Sequence, residues 1–270
     1  MEKSFMGILR SRFLGITLRG TMLVSLLSST WSDAPVAAQE ASPSAASAVV
    51  GTLKTGEAVL DAYVAAIGGV EKYKSLKSLR INSTFSMAAA GVKAPMTISQ
   101  QAPNRYRMEL TIPGLPPIVQ ICDGENVYSK EPQGGARMLE GAEKDAMLLQ
   151  ADFDSTPTWR DTYLKAELKG MADVEGKPAY QVELSTKEGL KLSNFYDAQS
   201  LLLVQTQSEQ NTVVGPMKIT TSLSDYRDVQ GIKMPHKSVQ SVQGQSVEIT
   251  IEKIEANLEF PAGTFEIPKQ

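Results

Sequence analysis

The clearest pattern in this chain is an alternation of apolar and polar residues between Met217 and Asn257. Met217, Ile219, Thr221 and Leu223 alternate with Lys218, Thr220, Ser222 and Ser224, the period of two expected where one face of a sheet is buried. Val229-Gln230-Gly231 offers a turn, and a run from His236 to Val242 follows. Gln243-Gly244-Gln245 turns the chain again, into a strand in which Val247, Ile249 and Ile251 oppose Glu248, Thr250 and Glu252. Similar runs predict strands near 79–87, 93–102, 104–111, 117–122 and 125–129, and again near 165–172, 178–184, 190–196 and 200–209. Pro113, Pro116 and Pro117 mark a loop, and Asp197-Ala198-Gln199-Ser200 a turn.

Helical spacing is confined to two places. Glu57, Ala58, Leu60, Val64 and Ile67 predict one helix, with Thr55 as N-cap and Gly68-Gly69 as its stop, followed by a short turn from Val70 to Leu76. Glu140 to Leu149 predicts a second, and Thr156-Pro157 the start of a third whose apolar side is Trp159, Tyr163 and Leu164. The fold class is therefore mainly β with helices. The expectation is one incomplete, strongly curved antiparallel barrel of about eleven strands, with a helical lid over its concave face. No composition shift marks a second domain.

The first residues change the picture of location. Lys3, Arg10, Arg12 and Arg19 precede a short apolar run from Thr21 to Trp31, and Val36-Ala37-Ala38 offers a cleavage site, so residues 1–38 read as a signal peptide. No Cys lies near that site, which excludes a lipid anchor there, and the run is too short to span a bilayer. Residues 39–54, rich in Ala, Ser and Pro, read as a disordered lead-in to a domain over 55–270. A soluble periplasmic protein is expected. Cutting after residue 38 removes four Lys/Arg and two Asp/Glu, leaving 23 minus 28, or −5. An acidic chain without a Lys/Arg run past that point is not expected to bind nucleic acid.

Candidate chemistry is sparse. One Cys (Cys122) and one His (His236) exclude an internal disulfide and a Cys/His zinc site. No Gly-x-Ser-x-Gly elbow accompanies His236, which reads as a packing or surface histidine, and Cys122 lies in an apolar strand as a small hydrophobe. Asp152 and Asp154 lack calcium-loop spacing, Gly134-Gly135 lacks a following Lys-Ser/Thr, and turn chemistry explains Asp225 and Asp228. Neither an enzyme nor a cofactor is indicated. The eight Met remaining after residue 38 are flexible side chains that either fill core gaps or line a site for an acyl chain.

Several short motifs occur in a telling order. Pro103-Asn104-Arg105-Tyr106-Arg107 is followed by Val119 to Tyr128 with Asp123-Gly124 inside it, then Pro132, and the chain closes on Phe265-Glu266-Ile267-Pro268. In these segments the chain resembles the LolA-like outer-membrane lipoprotein-sorting proteins. The resemblance implies an incomplete barrel with a helical lid and a hydrophobic cavity for lipid or lipoprotein acyl chains, passed to or from a membrane protein. It places Phe85, Met96, Ile98, Tyr106, Met108, Val247, Ile249 and Ile251 in the cavity, under a lid carrying Trp159. Ala102 stands where carrier members have an Arg that latches the lid, and alternation puts Arg105 and Arg107 on the outer face. A carrier and a non-enzymatic envelope sensor or adaptor for lipidated protein are the two function classes that follow.

Overall fold

The computed structural model describes residues 53–269 apart from 133, 154, 187–188, 190 and 213–214; the expected signal peptide, most of the expected lead-in and Asp154 lie outside the described residues. The chain opens with α1 (Gly56–Ala66) and α2 (Val70–Ser75), then six strands: β1 (Ser78–Met87), β2 (Val92–Gln101), β3 (Arg105–Leu110), β4 (Ile118–Cys122), β5 (Val127–Glu131) and β6 (Gly135–Met138). Helices α3 (Gly141–Ala151) and α4 (Trp159–Thr162) follow. Seven more strands complete it: β7 (Tyr163–Val174), β8 (Lys177–Thr186), β9 (Lys191–Asp197), β10 (Leu203–Thr212), β11 (Gly215–Val229), β12 (Ile232–Val242) and β13 (Gln245–Ala256).

All thirteen strands form one antiparallel sheet, ordered β6-β5-β4-β3-β2-β1-β13-β12-β11-β10-β9-β8-β7, which does not close into a barrel. Two meanders are thus joined through β1 and β13. Strands β6 and β7 are neighbours in sequence but occupy opposite edges, so the α3–α4 connection has to travel from one edge of the sheet to the other. That is why helices come to lie over it.

Local sequence fixes the register. Gln230-Gly231, Gln243-Gly244 and Glu175-Gly176 each have positive φ at both positions, the two-residue turn whose twist matches its flanking strands. Along β13 the apolar positions switch from odd (Val247, Ile249, Ile251) to even (Ile254, Ala256). The switch coincides with a bulge: Ser83 pairs with Ile251 and Asn82 with Lys253, so Glu252 is the extra residue and Ile254 returns to the core face.

The inward faces make two main cores. One joins β1–β4, β13 and the start of β12 to Met147 and Ala151 of α3. The other joins β8–β11 to Val59, Leu60 and Val64 of α1, and to Trp159. Thr55 caps α1, accepting from the Ala58 N–H at 3.2 Å. Two glycines let α1 approach backbone closely. A Cβ on Gly56 would stand 2.5 Å from the Ala166 oxygen, and one on Gly68 2.3 Å from the Gly231 oxygen.

The structure departs from the sequence reading in four places. It has thirteen strands, including β6, a short edge strand with no buried residue to betray it. Helix α4 is a single turn, so Tyr163 and Leu164 begin β7 instead, and Leu164 is 68% exposed on that edge strand. Trp159 joins the core under α1, away from α3. Strand β12 starts at Ile232, ahead of Pro235, although proline is unusual in a central strand. Pairing of β12 with β13 begins only at Lys237–Thr250, so the missing N–H of Pro235 costs no bond on that side.

A candidate binding cleft between the two cores

The stretch of β12 that pairs with β11 but not with β13 is where the cleft forms. The Lys233 N–H donates instead to the Ile67 oxygen at the end of α1, at 2.8 Å, and Asn257 Nδ2 donates to Gln230 Oε1 at 2.9 Å. Beside this junction lies a cavity of about 60 Å³. Its apolar walls include Ile67, Leu79, Ile81 and Met234 from one core and Leu203 and Leu223 from the other. Tyr63, Tyr73, Tyr226 and Phe153 add aromatic surface, while Gln100, Asp152 and the exposed Lys233 supply polar groups. A satellite of about 10 Å³ continues past Ile81, Leu223 and Pro235.

Of the residues expected to line a cavity, Met96, Ile98, Ile249 and Ile251 border that satellite. Phe85, Met108 and Val247 sit in the same core without bordering either space, and Met108 is fully buried. Tyr106 is also buried there; its hydroxyl accepts from Gln150 Nε2 of α3 at 2.9 Å, and burial pushes its pKa well up. Trp159 faces the other core, donating its Nε1–H to Asp61 Oδ1 of α1 at 3.2 Å. The cleft walls from α1, α2 and the start of β12 were not singled out from sequence. They come together only where strand pairing stops, a non-local event.

Two charged contacts hold the helices. Arg160 reaches Asp61 through both nitrogens at 2.8 and 2.7 Å and stacks 4.1 Å from the Trp159 ring centroid, tying α4 to α1. The Arg160 hydrogen bond leads the causes that hold the Asp61 carboxyl below its usual pKa. Arg137 of β6 donates to Glu143 of α3 at 2.8 Å. Close by in sequence, burial raises the Glu131 carboxyl, which accepts from the Ser129 hydroxyl at 2.9 Å. Arg105 and Arg107 alternate with buried Tyr106 and Met108, and Arg107 is paired with Glu109. His236 is buried, its Nδ1 2.9 Å from the Met234 oxygen. Among the described residues no group of three or more His, Cys, Asp or Glu could hold a metal ion, and no helix is long and apolar enough to cross a membrane.

The open single sheet with helices against its inner face is similar in fold to solved structures, one of them a LolA superfamily protein. A DUF1329 family protein from Desulfovibrio piger superposes with a TM-score of 0.53 at 13% identity, over 78% of this chain and 96% of that one. A LolA superfamily protein from Nitrosomonas europaea superposes with a TM-score of 0.51 at 11% identity, over 80% of this chain and 99% of the other. This chain is similar to them in fold. No family profile and no curated protein matches the sequence.

Proposed function

We propose that the protein is a periplasmic, non-enzymatic binding protein that receives the acyl chain of a lipid or lipoprotein in the cleft between its two cores. The observation that carries this reading is the position of the cleft. It lies where β12 leaves β13, its walls are apolar on both sides, and it continues toward Met96, Ile98, Ile249 and Ile251. The fold shared with a LolA superfamily protein and the signal-like residues 1–38 support the same reading. At ~0.8 kcal/mol per buried CH₂, one chain contributes on the order of 10 kcal/mol gross, which ordering costs offset in part. The test is solvent extraction of protein purified from its native envelope, with mass spectrometry of the extract, followed by titration of the emptied protein with a fluorescent acyl probe. Acyl lipid in the extract and micromolar probe binding are expected.

A second reading draws on the tightness of the cleft. Its volume of about 60 Å³ falls well short of the ~300–1,000 Å³ of ligand pockets. That suits a sensor or adaptor that meets lipidated protein at its surface and signals to a membrane partner. No lipid in the extract and no probe binding would replace the first reading with this one.

A further inference from the structure

Past Leu203 and Leu223 the inner face changes character. The registers align Val182, Asn194, Thr206, Thr221, Gln240 and Val247 into one row across six strands. Its two ends are core valines, one from each core, so the row faces inward. Its four middle residues are polar, and each is more than nine-tenths buried: Asn194 8% exposed, Thr206 1%, Thr221 4% and Gln240 7%. Ser208, 7% exposed, follows Thr206 on the same face, opposite Leu192 and Ile219. The bulge at Val204 brings Thr206 and Ser208 onto that face, since Leu203 pairs with Tyr196 and Gln205 with Phe195.

Three atoms of this patch lack a hydrogen-bond partner among the described residues: Asn194 Oδ1, Ser208 Oγ and Thr221 Oγ1. Asn194 spends its Nδ2 on the Tyr196 hydroxyl at 3.1 Å, which leaves the carbonyl oxygen facing inward as an acceptor. Buried polar atoms left without a partner are destabilising, and a group of three on one face calls for a purpose. The charged neighbours Lys218, Glu209, Lys191 and Glu183 alternate onto the opposite face of their strands, so no ion is offered inward here.

We propose that this patch is the polar end of the ligand site and selects an uncharged acyl amide. The hydroxyls of Ser208 and Thr221 donate to the ligand carbonyl, and Asn194 Oδ1 accepts from its N–H. A carboxylate or phosphate would find no cation in the row, whereas an amide satisfies all three orphaned atoms. The patch is within reach of the cleft, because Leu223 lies two residues from Thr221 along β11, and Leu203 precedes Thr206 along β10. The proposal rests on the cleft being a lipid site.

The test compares two probes of equal chain length that carry the same pyrene group, an N-hexadecanoyl ethanolamide and a plain hexadecane. Wild type should bind the amide about tenfold more tightly. Thr221→Val, nearly isosteric, should abolish that preference, leave the alkyl probe within about twofold and not lower Tm. Ser208→Ala should halve the preference or more in the same direction. Equal binding of both probes by wild type, or a preference that survives Thr221→Val, overturns the assignment while the lipid cleft stands. Parallel loss of both probes together with stability would reduce the row to packing and also overturn it. Failure of wild type to bind either probe removes the cleft reading and this one together.

Discussion

The two helices that cover the sheet are held in different ways. Helix α1 is fastened along its length. Thr55 caps its start, Gly56 seats it against the backbone of β7, Asp61 takes Arg160, and at its end the Ile67 oxygen accepts from the Lys233 N–H of β12, with Gly68 against Gly231. Helix α3 starts at Gly141 with no side-chain cap, and Gly141 itself has φ of 56°. It is held by Arg137 at one end and by Gln150 and the Phe153 N–H at the other, the latter donating to the Pro103 oxygen at 2.8 Å. The difference teaches how each cover is seated. Backbone contacts that need glycine make α1 part of the sheet, whereas α3 rests on side-chain contacts, one backbone bond at its end and the burial of Met147 and Ala151.

The strand that both halves share gives the largest effect. Ile249 is buried in the first core and its neighbour Glu248 is ion-paired on the outer face. Ile249→Asp should unfold the protein or cost more than about 4 kcal/mol in urea denaturation, because it buries an unpaired charge. Glu248→Ala should do little; equal effects would mean a wrong register.

The glycines come next. Gly68→Ala should cost about 3 kcal/mol, since the Cβ collides with backbone at a φ of +130°. Gly141→Ala, with nothing within 4 Å, should cost about 1 kcal/mol for positive φ alone. Similar losses in thermal melts would erase the contrast between the helices. Met108→Trp tests the first core. With Met108 fully buried and bordering neither the cleft nor its satellite, the larger ring should destabilise by about 1–3 kcal/mol.

The smallest effect is a pH dependence under α3. Burial raises the folded pKa of Glu131, so its contribution to stability is fully present below the unfolded pKa and is lost as pH rises through the folded one. Glu131→Gln keeps an acceptor for Ser129 and should therefore be slightly more stable than wild type at pH 7 and no more stable near pH 4. A gain that is the same at both pH values would show that the carboxyl does not titrate in that window.

Much of the fold was legible because alternation is local. Val247, Ile249 and Ile251 announce both their strand and their face, and Thr55 with Gly68-Gly69 brackets α1. What alternation cannot carry is pairing. Strand β6 is too short and exposed to show a period, and Pro235 hides the start of β12, which pairs there with β11 but not with β13. Thr206, Thr221 and Gln240 look like ordinary sheet positions until two registers place them side by side. The cleft was illegible for the same reason, being built where β12 parts from β13 and α1 steps in.

The pairing of β1 with β13 has a kinetic consequence. Phe85 and Ile249 face each other across 164 positions of chain, whereas within each meander every strand pairs with its neighbour in sequence. Loop-closure entropy makes the distant pairing the slow one. Two locally formed sheets should therefore assemble early, each with a raw edge exposed, and wait for one long-range zippering event. Substitutions along β1 or β13 that weaken that seam should slow refolding, while those inside a single meander should mainly hasten unfolding.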